Sequence, residues 1–280
     1  MKARVCTAAG LIAAFAVALY FGGIICSVLI VLCLCLSVYE VYRALNNAGH
    51  KCVSWPGWLC MIVSVPLFMI VKSSVSLVIA ISVGAVMVIC AYDMIRPEPD
   101  LEDIAASILP LMMVTLPGMC MLGIVKNAVI PVGGNENRAL QISLLLMSFG
   151  IPLLGDTFAF IVGSRFGKKK LCPKVSPNKT VEGSIAGVVG SIAFSLIIFG
   201  VFRWIPGCEA AQKPLWHHIL LGVLAGFAGQ AGDLFASLVK RHCGIKDYSN
   251  IFPGHGGMMD RLDSVYWAAV IVYIYLNLII

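Results

Sequence analysis

Long apolar runs alternate with short polar joints along this chain. Nine runs stand out, at 4–21, 24–42, 57–72, 74–92, 104–124, 139–162, 183–202, 216–239 and 262–280. A helix needs about 20 apolar residues to cross a bilayer, so each run predicts one transmembrane α-helix. The third is the shortest. The predicted fold class is all-α, a polytopic integral membrane protein with about nine transmembrane helices. The first two runs are separated only by Gly22-Gly23. A second apolar run following at once, with no small-residue cleavage site, predicts two spans joined by a tight glycine hairpin and not a cleaved leader.

Composition agrees with this pattern. Sixty per cent of residues are hydrophobic and the mean hydropathy is +0.94, which excludes an ordinary soluble domain. Nine such helices in 280 residues leave too little polar sequence to cover that many buried cores. The eleven cysteines mostly lie inside apolar runs and form no C-x-x-C pair, so they read as small buried hydrophobes and not as a zinc framework. No linker divides the chain. Residues 1–280 read as one membrane domain, with 1–138 mainly scaffold and 139–280 carrying the chemistry.

Charge gives an orientation. With nine spans, the N-terminus and the loops after spans 2, 4, 6 and 8 share one side, which holds 15 lysines and arginines against 5 on the other. The positive-inside rule then places the N-terminus in the cytoplasm. Without the two basic loops described next, the balance is five against five, so the asymmetry rests on them. Glu40, near the end of the second span, reads as an interfacial residue.

The first basic cluster runs from Ser237 to Asp263 and holds nine charged or histidine residues in 27, between two apolar runs. Its acids, bases and paired glycines are what metal and phosphate binding require. Asp260 and Asp263, three apart, share one helix face, and with Asp233 they make a carboxylate cluster suited to a cation. Gly254-His255-Gly256-Gly257 permits a close backbone approach to phosphate. Lys240, Arg241, Lys246 and Arg261 can screen phosphates, undivided between ligands.

The second cluster spans 155–183. Asp156 lies nine residues before Arg165, ~13 Å below the predicted helix end, and Asp233 lies seven before Lys240, ~10 Å deep. Each follows a glycine. A carboxylate at such depth is expensive in lipid, so both are expected to face a polar cavity and pair with a cation. The segment Ser176-Pro177-Asn178-Lys179-Thr180-Val181-Glu182-Gly183 reads as a Pro-fixed turn that offers hydroxyls, an amide and one lysine before a helix N-terminus able to face phosphate. His217 and His218 fall on the opposite side and receive no role.

These segments resemble the signature of the CDP-diacylglycerol synthases, or phosphatidate cytidylyltransferases. The resemblance rests on Ser237, Lys240, Arg241, Lys246, Asp247, Ser249, Phe252, Pro253, His255, Gly256, Gly257, Met258, Asp260, Arg261, Leu262 and Asp263 at fixed spacing, and on the 176–183 element. Asn178 stands where that family usually has a second lysine. The resemblance covers the last 130 residues well and the first 150 only by hydropathy. It implies transfer of the cytidylyl group of CTP to phosphatidic acid, with a metal site at Asp233, Asp260 and Asp263 for Mg²⁺, and a second, monovalent cation such as K⁺. Asp233, Lys240, His255, Asp260 and Asp263 are the expected catalytic residues. The expected substrate contacts are Asp156, Ser176, Asn178, Lys179, Thr180, Glu182, Arg241, Lys246, Asp247, Gly256, Gly257 and Arg261. CTP, phosphatidic acid and membrane lipids are the expected partners, with a homodimer and no nucleic acid. The expected location is a bacterial inner membrane, with a polar cavity open to the cytoplasm. Two alternatives stay open: a secondary transporter of an anionic solute, suggested by glycine-flanked intramembrane aspartates, and a CTP-dependent lipid-alcohol kinase.

Overall fold

A computed structural model describes residues 2–70, 74–127, 135–205, 213–252, 254 and 256–279. The helices are α1 (Lys2–Phe21), α2 (Gly23–Asn47), α3 (Trp55–Ile70), α4 (Ser74–Met94), α5 (Leu101–Pro110), α6 (Leu116–Asn127), α7 (Asn135–Phe166), α8 (Val181–Trp204), α9 (Leu215–His242) and α10 (Met259–Ile279). Two short strands, β1 (Lys170–Cys172) and β2 (Ser176–Thr180), lie between α7 and α8. A π turn, Leu111–Thr115, joins α5 to α6. It lies between Pro110 and Pro117, whose missing N–H groups interrupt the regular ladder.

Among the described residues, six helical segments are long and apolar enough to cross a membrane: Gly23–Asn47, Leu77–Met94, Leu101–Lys126, Arg138–Phe166, Val181–Trp204 and Leu215–His242. The chain is therefore helical and polytopic, as its hydropathy predicts. The first, third and ninth predicted spans fall on α1, α3 and α10, which are outside that set of six. Gly22 and Gly23 have φ of 63° and 47°, left-handed values that break α1 from α2 at the predicted joint.

Small residues set the spacing of α7 to α10. A Cβ on Gly155 would stand 2.6 Å from Ser191 Oγ on α8, and one on Gly232 would stand 2.6 Å from the carbonyl oxygen of Asp263 on α10. Without a side chain there, the helix backbones approach closely, as small residues allow in membrane bundles. These are the two glycines that precede Asp156 and Asp233, so the close packing and the placement of the acids have one origin. Gln230 on α9 adds a polar tie: its amide donates to Ser184 O at 3.0 Å, and its carbonyl oxygen accepts from Ser184 Oγ.

Two expectations are corrected. The 176–183 element is not a turn around Pro177. Ser176–Thr180 is a strand, antiparallel to β1, and the turn lies at 173–175. Proline is tolerated because a two-stranded ribbon has only edges, where an N–H can be spared. Thr180 then ends the strand and caps α8, its hydroxyl accepting from Gly183 N at 3.1 Å.

Glu40 is the second correction. It is fully buried, not interfacial. Its carboxylate accepts from Ser249 Oγ at 2.5 Å, Met258 N at 3.0 Å and Met259 N at 2.8 Å. Glu40 thus gathers both ends of the 249–259 loop and the first turn of α10, where orphan helix N–H groups favour an acid. Arg43, three residues on, donates to Tyr248 O at 3.4 Å. The polar ends of α2, α7, α9 and α10 meet at one end of the bundle.

Glu40→Ala leaves three buried donors without an acceptor. We expect a loss of about 3 kcal/mol or more, read as a lower thermal midpoint together with faster protease cleavage within residues 243–258. Unchanged protection of that loop would show that other contacts hold it.

Candidate functional site

Three helices each bring one carboxylate to a common region. Asp156 comes from α7, Asp233 from α9 and Asp263 from α10, close enough for their charges to act on one another. Their cover is graded: Asp156 is exposed, Asp233 partly covered and Asp263 buried. In an otherwise apolar helix layer, this row of acids runs from an exposed position on α7 to a buried one on α10. Asp263 Oδ1 accepts from Ser264 N at 2.7 Å. Asp233 Oδ2 accepts from Lys179 Nζ at 2.5 Å, and its Oδ1 lies 3.5 Å from Ser237 Oγ.

The hairpin exists, in effect, to deliver Lys179. Strand alternation turns Lys179 inward while Asn178 stays exposed beside it. Register is pinned by Lys170 opposite Thr180 and Cys172 opposite Ser176. Glu182, in the first turn of α8, accepts from Lys168 N at 3.1 Å and Lys169 N at 3.3 Å and so fastens the chain leaving α7.

A second ion pair lies beside the first. Lys240 Nζ donates to Asp260 Oδ1 at 2.7 Å, with both side chains largely covered. Asp260 Oδ2 accepts from Tyr248 N at 2.8 Å and Gly257 N at 2.9 Å. Asp260 therefore ties the 243–258 loop to α10 with both of its oxygens. Lys240 also sits 5.5 Å from the centre of the Tyr248 ring. Burial, then Asp260 and Asp263, push the Tyr248 phenol well above its ordinary range, so it stays neutral and donates to Ala236 O at 3.2 Å. Gly256 adopts φ 83°, and a Cβ on Gly257 would lie 2.5 Å from Glu40 Oε1. The two glycines let the loop close against Asp260 and Glu40.

The remaining predicted residues form the rim. Arg241 donates to Val175 O at 3.4 Å and Ile245 O at 3.1 Å, joining the hairpin turn to the α9 end. Lys246, Asp247 and Arg261 are exposed. Ser176 opens β2. His255 and Pro253 lie outside the described residues. At the far end, His217 Nδ1 shares a hydrogen bond with Tyr275 OH at 2.8 Å, away from the acids.

Sequence reading missed Glu40, Tyr248 and Gln230 as organisers of this region. A lone Gln or Glu inside an apolar run was the available signal, because such a group requires a partner.

Carboxylate oxygens are hard donors and suit Mg²⁺. Among the described residues, no three His, Cys, Asp or Glu side chains are gathered tightly enough to hold an ion as they stand. Asp260 is fully engaged by Lys240 and two amides. The donor chemistry that fits a hard cation is that of Asp233 and Asp263, with Asp156 beside them.

The chain matches the model of the cytidylyltransferase family over residues 2–279. It is 41% identical over 133 residues to a phosphatidate cytidylyltransferase of Aquifex aeolicus, covering 47% of this chain and 46% of that protein. It is 34% identical over 155 residues to the chloroplastic phosphatidate cytidylyltransferase 4 of Arabidopsis thaliana, covering 55% and 38%. It is 40% identical over 125 residues to a phosphatidate cytidylyltransferase of Bacillus subtilis, covering 44% and 43%. The aligned stretches span less than half the length of each of these relatives. With a match that runs nearly from end to end, the chain belongs to the cytidylyltransferase family.

Proposed function

We propose that this protein transfers the cytidylyl group of CTP to phosphatidic acid, giving CDP-diacylglycerol and pyrophosphate for phospholipid synthesis. The observation that carries this reading is the row Asp156, Asp233 and Asp263, faced by Lys179 and Lys240 beneath a basic rim, in a chain of this family. Relatives named phosphatidate cytidylyltransferases supply the substrate pair.

The chemistry asks little proton transfer of the protein. The phosphate oxygen of phosphatidic acid is already ionised and attacks the α-phosphorus of CTP, while the bond to pyrophosphate breaks. Several negative charges must be brought together and aligned. Lys179 and the Arg241–Lys246–Arg261 rim offset that charge. Asp233 and Asp263 would hold Mg²⁺, with Asp260 fixing the loop beside them, and the ion would supply charge neutralisation at the reacting phosphates. A monovalent ion such as K⁺ beside it, Asp156 as a substrate contact and a homodimeric assembly belong to the same reading. The chain then crosses the membrane nine times, with its N-terminus and the cleft on the cytoplasmic side, where nucleotides are available. In a bacterium this is the inner membrane.

CTP labelled at the α-phosphate, incubated with the purified protein, phosphatidic acid and Mg²⁺, should yield labelled lipid and pyrophosphate. Label left in CDP would instead indicate a lipid-alcohol kinase. In this assay Asp233→Asn, Asp260→Asn and Asp263→Asn should each lower turnover by orders of magnitude in folded protein. Full activity in one of them removes that residue from the machinery.

Lys179→Ala removes a charge-assisted contact worth about 1.5–3 kcal/mol, or roughly 10- to 150-fold in kcat/KM for CTP. Lys169→Ala, in a run of three exposed lysines, should change little. Equal activity of the two would confine the nucleotide site to residues 233–263.

The nine-span arrangement predicts that cysteines at positions 174 and 246 label from the cytoplasmic face and one at 213 from the other. A reversed pattern at any of the three overturns it.

A further inference from the structure

One face of α10 stays uncovered beyond the acids. Trp267 and Val270 are half-buried and Ile274 is exposed, while the neighbouring Val265, Tyr266, Ala268, Ala269 and Val272 are buried. Val270 follows Asp263 by seven residues, about two helical turns, so both lie on that face. At about 1.5 Å per residue, Val270 stands ~10 Å and Tyr273 ~15 Å farther along the helix than Asp263. The Trp267 ring, 5.7 Å from that of Phe235, marks the change from acidic to apolar lining.

The uncovered face borders a hollow of about 350 Å³. Ile79 on α4, Met112 in the π turn, Met119 and Cys120 on α6, and Val270 and Tyr273 on α10 line it. The walls other than α10 belong to two of the segments apolar enough to cross a membrane, Leu77–Met94 and Leu101–Lys126. Ile79 and Met112 are exposed, so the hollow opens on the outer surface of those segments and not into the core. The π turn sets its side chains out of step with the helix on either side, and methionine walls adapt to an irregular occupant.

Such a lining excludes a charged ligand and suits an apolar chain. The acyl layer of one leaflet is ~15 Å deep, half of the ~30 Å hydrocarbon core. That length matches the ~10–15 Å between Asp263 and the hollow along α10. A lipid whose phosphate lies at the acid row therefore brings the outer half of an acyl chain to Val270 and Tyr273.

We propose that the hollow between α4, α6 and α10 seats one acyl chain of the phosphatidic acid whose phosphate is held at Asp233 and Asp263, and that it sets which chain lengths react well. The proposal rests on the cytidylyl-transfer reading above. Lipid tails are as apolar as the hollow, so the preference comes from packing and not from removal of water.

The test has a kinetic and a labelling arm, both on the full chain in detergent micelles with Mg²⁺ present. Val270→Phe and Cys120→Phe fill the hollow from two helices. Each should lower kcat/KM for dipalmitoyl phosphatidic acid by about fivefold or more. With dihexanoyl phosphatidic acid, whose tails stop short of Val270, each should stay within about twofold of wild type, as should KM for CTP. Ile185→Phe, at an exposed position on α8, should change neither. Equal losses on both lipids, or no loss on either, overturn the proposal.

The labelling arm needs no substitution. A phosphatidic acid with a photoreactive group in the outer half of one chain should label peptides containing residues 112–120 and 270–273. Dipalmitoyl phosphatidic acid should compete and phosphatidylcholine should not. Equal competition by phosphatidylcholine means bulk lipid only, and absence of label means another occupant, such as a second copy of the chain; either overturns the proposal. Competed labelling without formation of CDP-diacylglycerol would remove the cytidylyl-transfer reading and leave the acyl seat standing, and transfer without labelling would do the reverse.

Discussion

Carboxylates inside an apolar helix bundle must find cations, and the cleft is built around that requirement. The Lys179–Asp233 pair at 2.5 Å joins the hairpin to α9, and the Lys240–Asp260 pair at 2.7 Å joins α9 to α10. Each pair spans two elements, so satisfying the charge also fixes their relative position. Removing one partner leaves an uncompensated charge in a low-dielectric setting, which is far more damaging than losing the pair together. Asp156 and Asp263 make no ion pair among the described residues, though Lys179 and Lys240 act on them from farther off, and they add negative charge beside Asp233. The result is a site with more acids than lysines among its covered groups and with Arg241, Lys246 and Arg261 exposed at its rim.

That electrostatic plan needs helices in close contact, and glycine supplies the closeness. Gly155 and Gly232 let α7 meet α8 and α9 meet α10 at distances a side chain would forbid. The acids that follow them are therefore held on rigid, tightly spaced helices and not on loops. Glu40 performs a comparable service for the one irregular segment, gripping Ser249, Met258 and Met259 from another helix. A helix of the first half thus holds the loop on which the second half's signature is written. The Tyr248 and Gly257 amides that point to Asp260 complete the closure.

Much of this was legible in one dimension. Apolar runs fix where helices form, because lipid and packed helices alike require satisfied backbone groups. Gly22-Gly23 marks the break between the first two helices through its left-handed backbone. Asp156 and Asp233 announce themselves as charges set deep in apolar runs, each behind a glycine. The spacing of residues 237–263 carries the family.

What the sequence left undecided are partnerships between distant residues. Nothing local distinguishes Glu40, buried under three donors, from an acid at a membrane surface. Nothing local pairs Lys179 with Asp233 or Lys240 with Asp260, when several lysines are available. Ser176–Thr180 is a strand only because Lys170–Cys172 folds back beside it, a contact that outweighs the turn preference of Pro177. The sequence by itself determined the helices and the inventory of charged groups, since both follow from short-range periodicity and composition. Only the tertiary structure decided which charge meets which, because ion pairs and buried hydrogen bonds form across helices whose order in space no local pattern encodes.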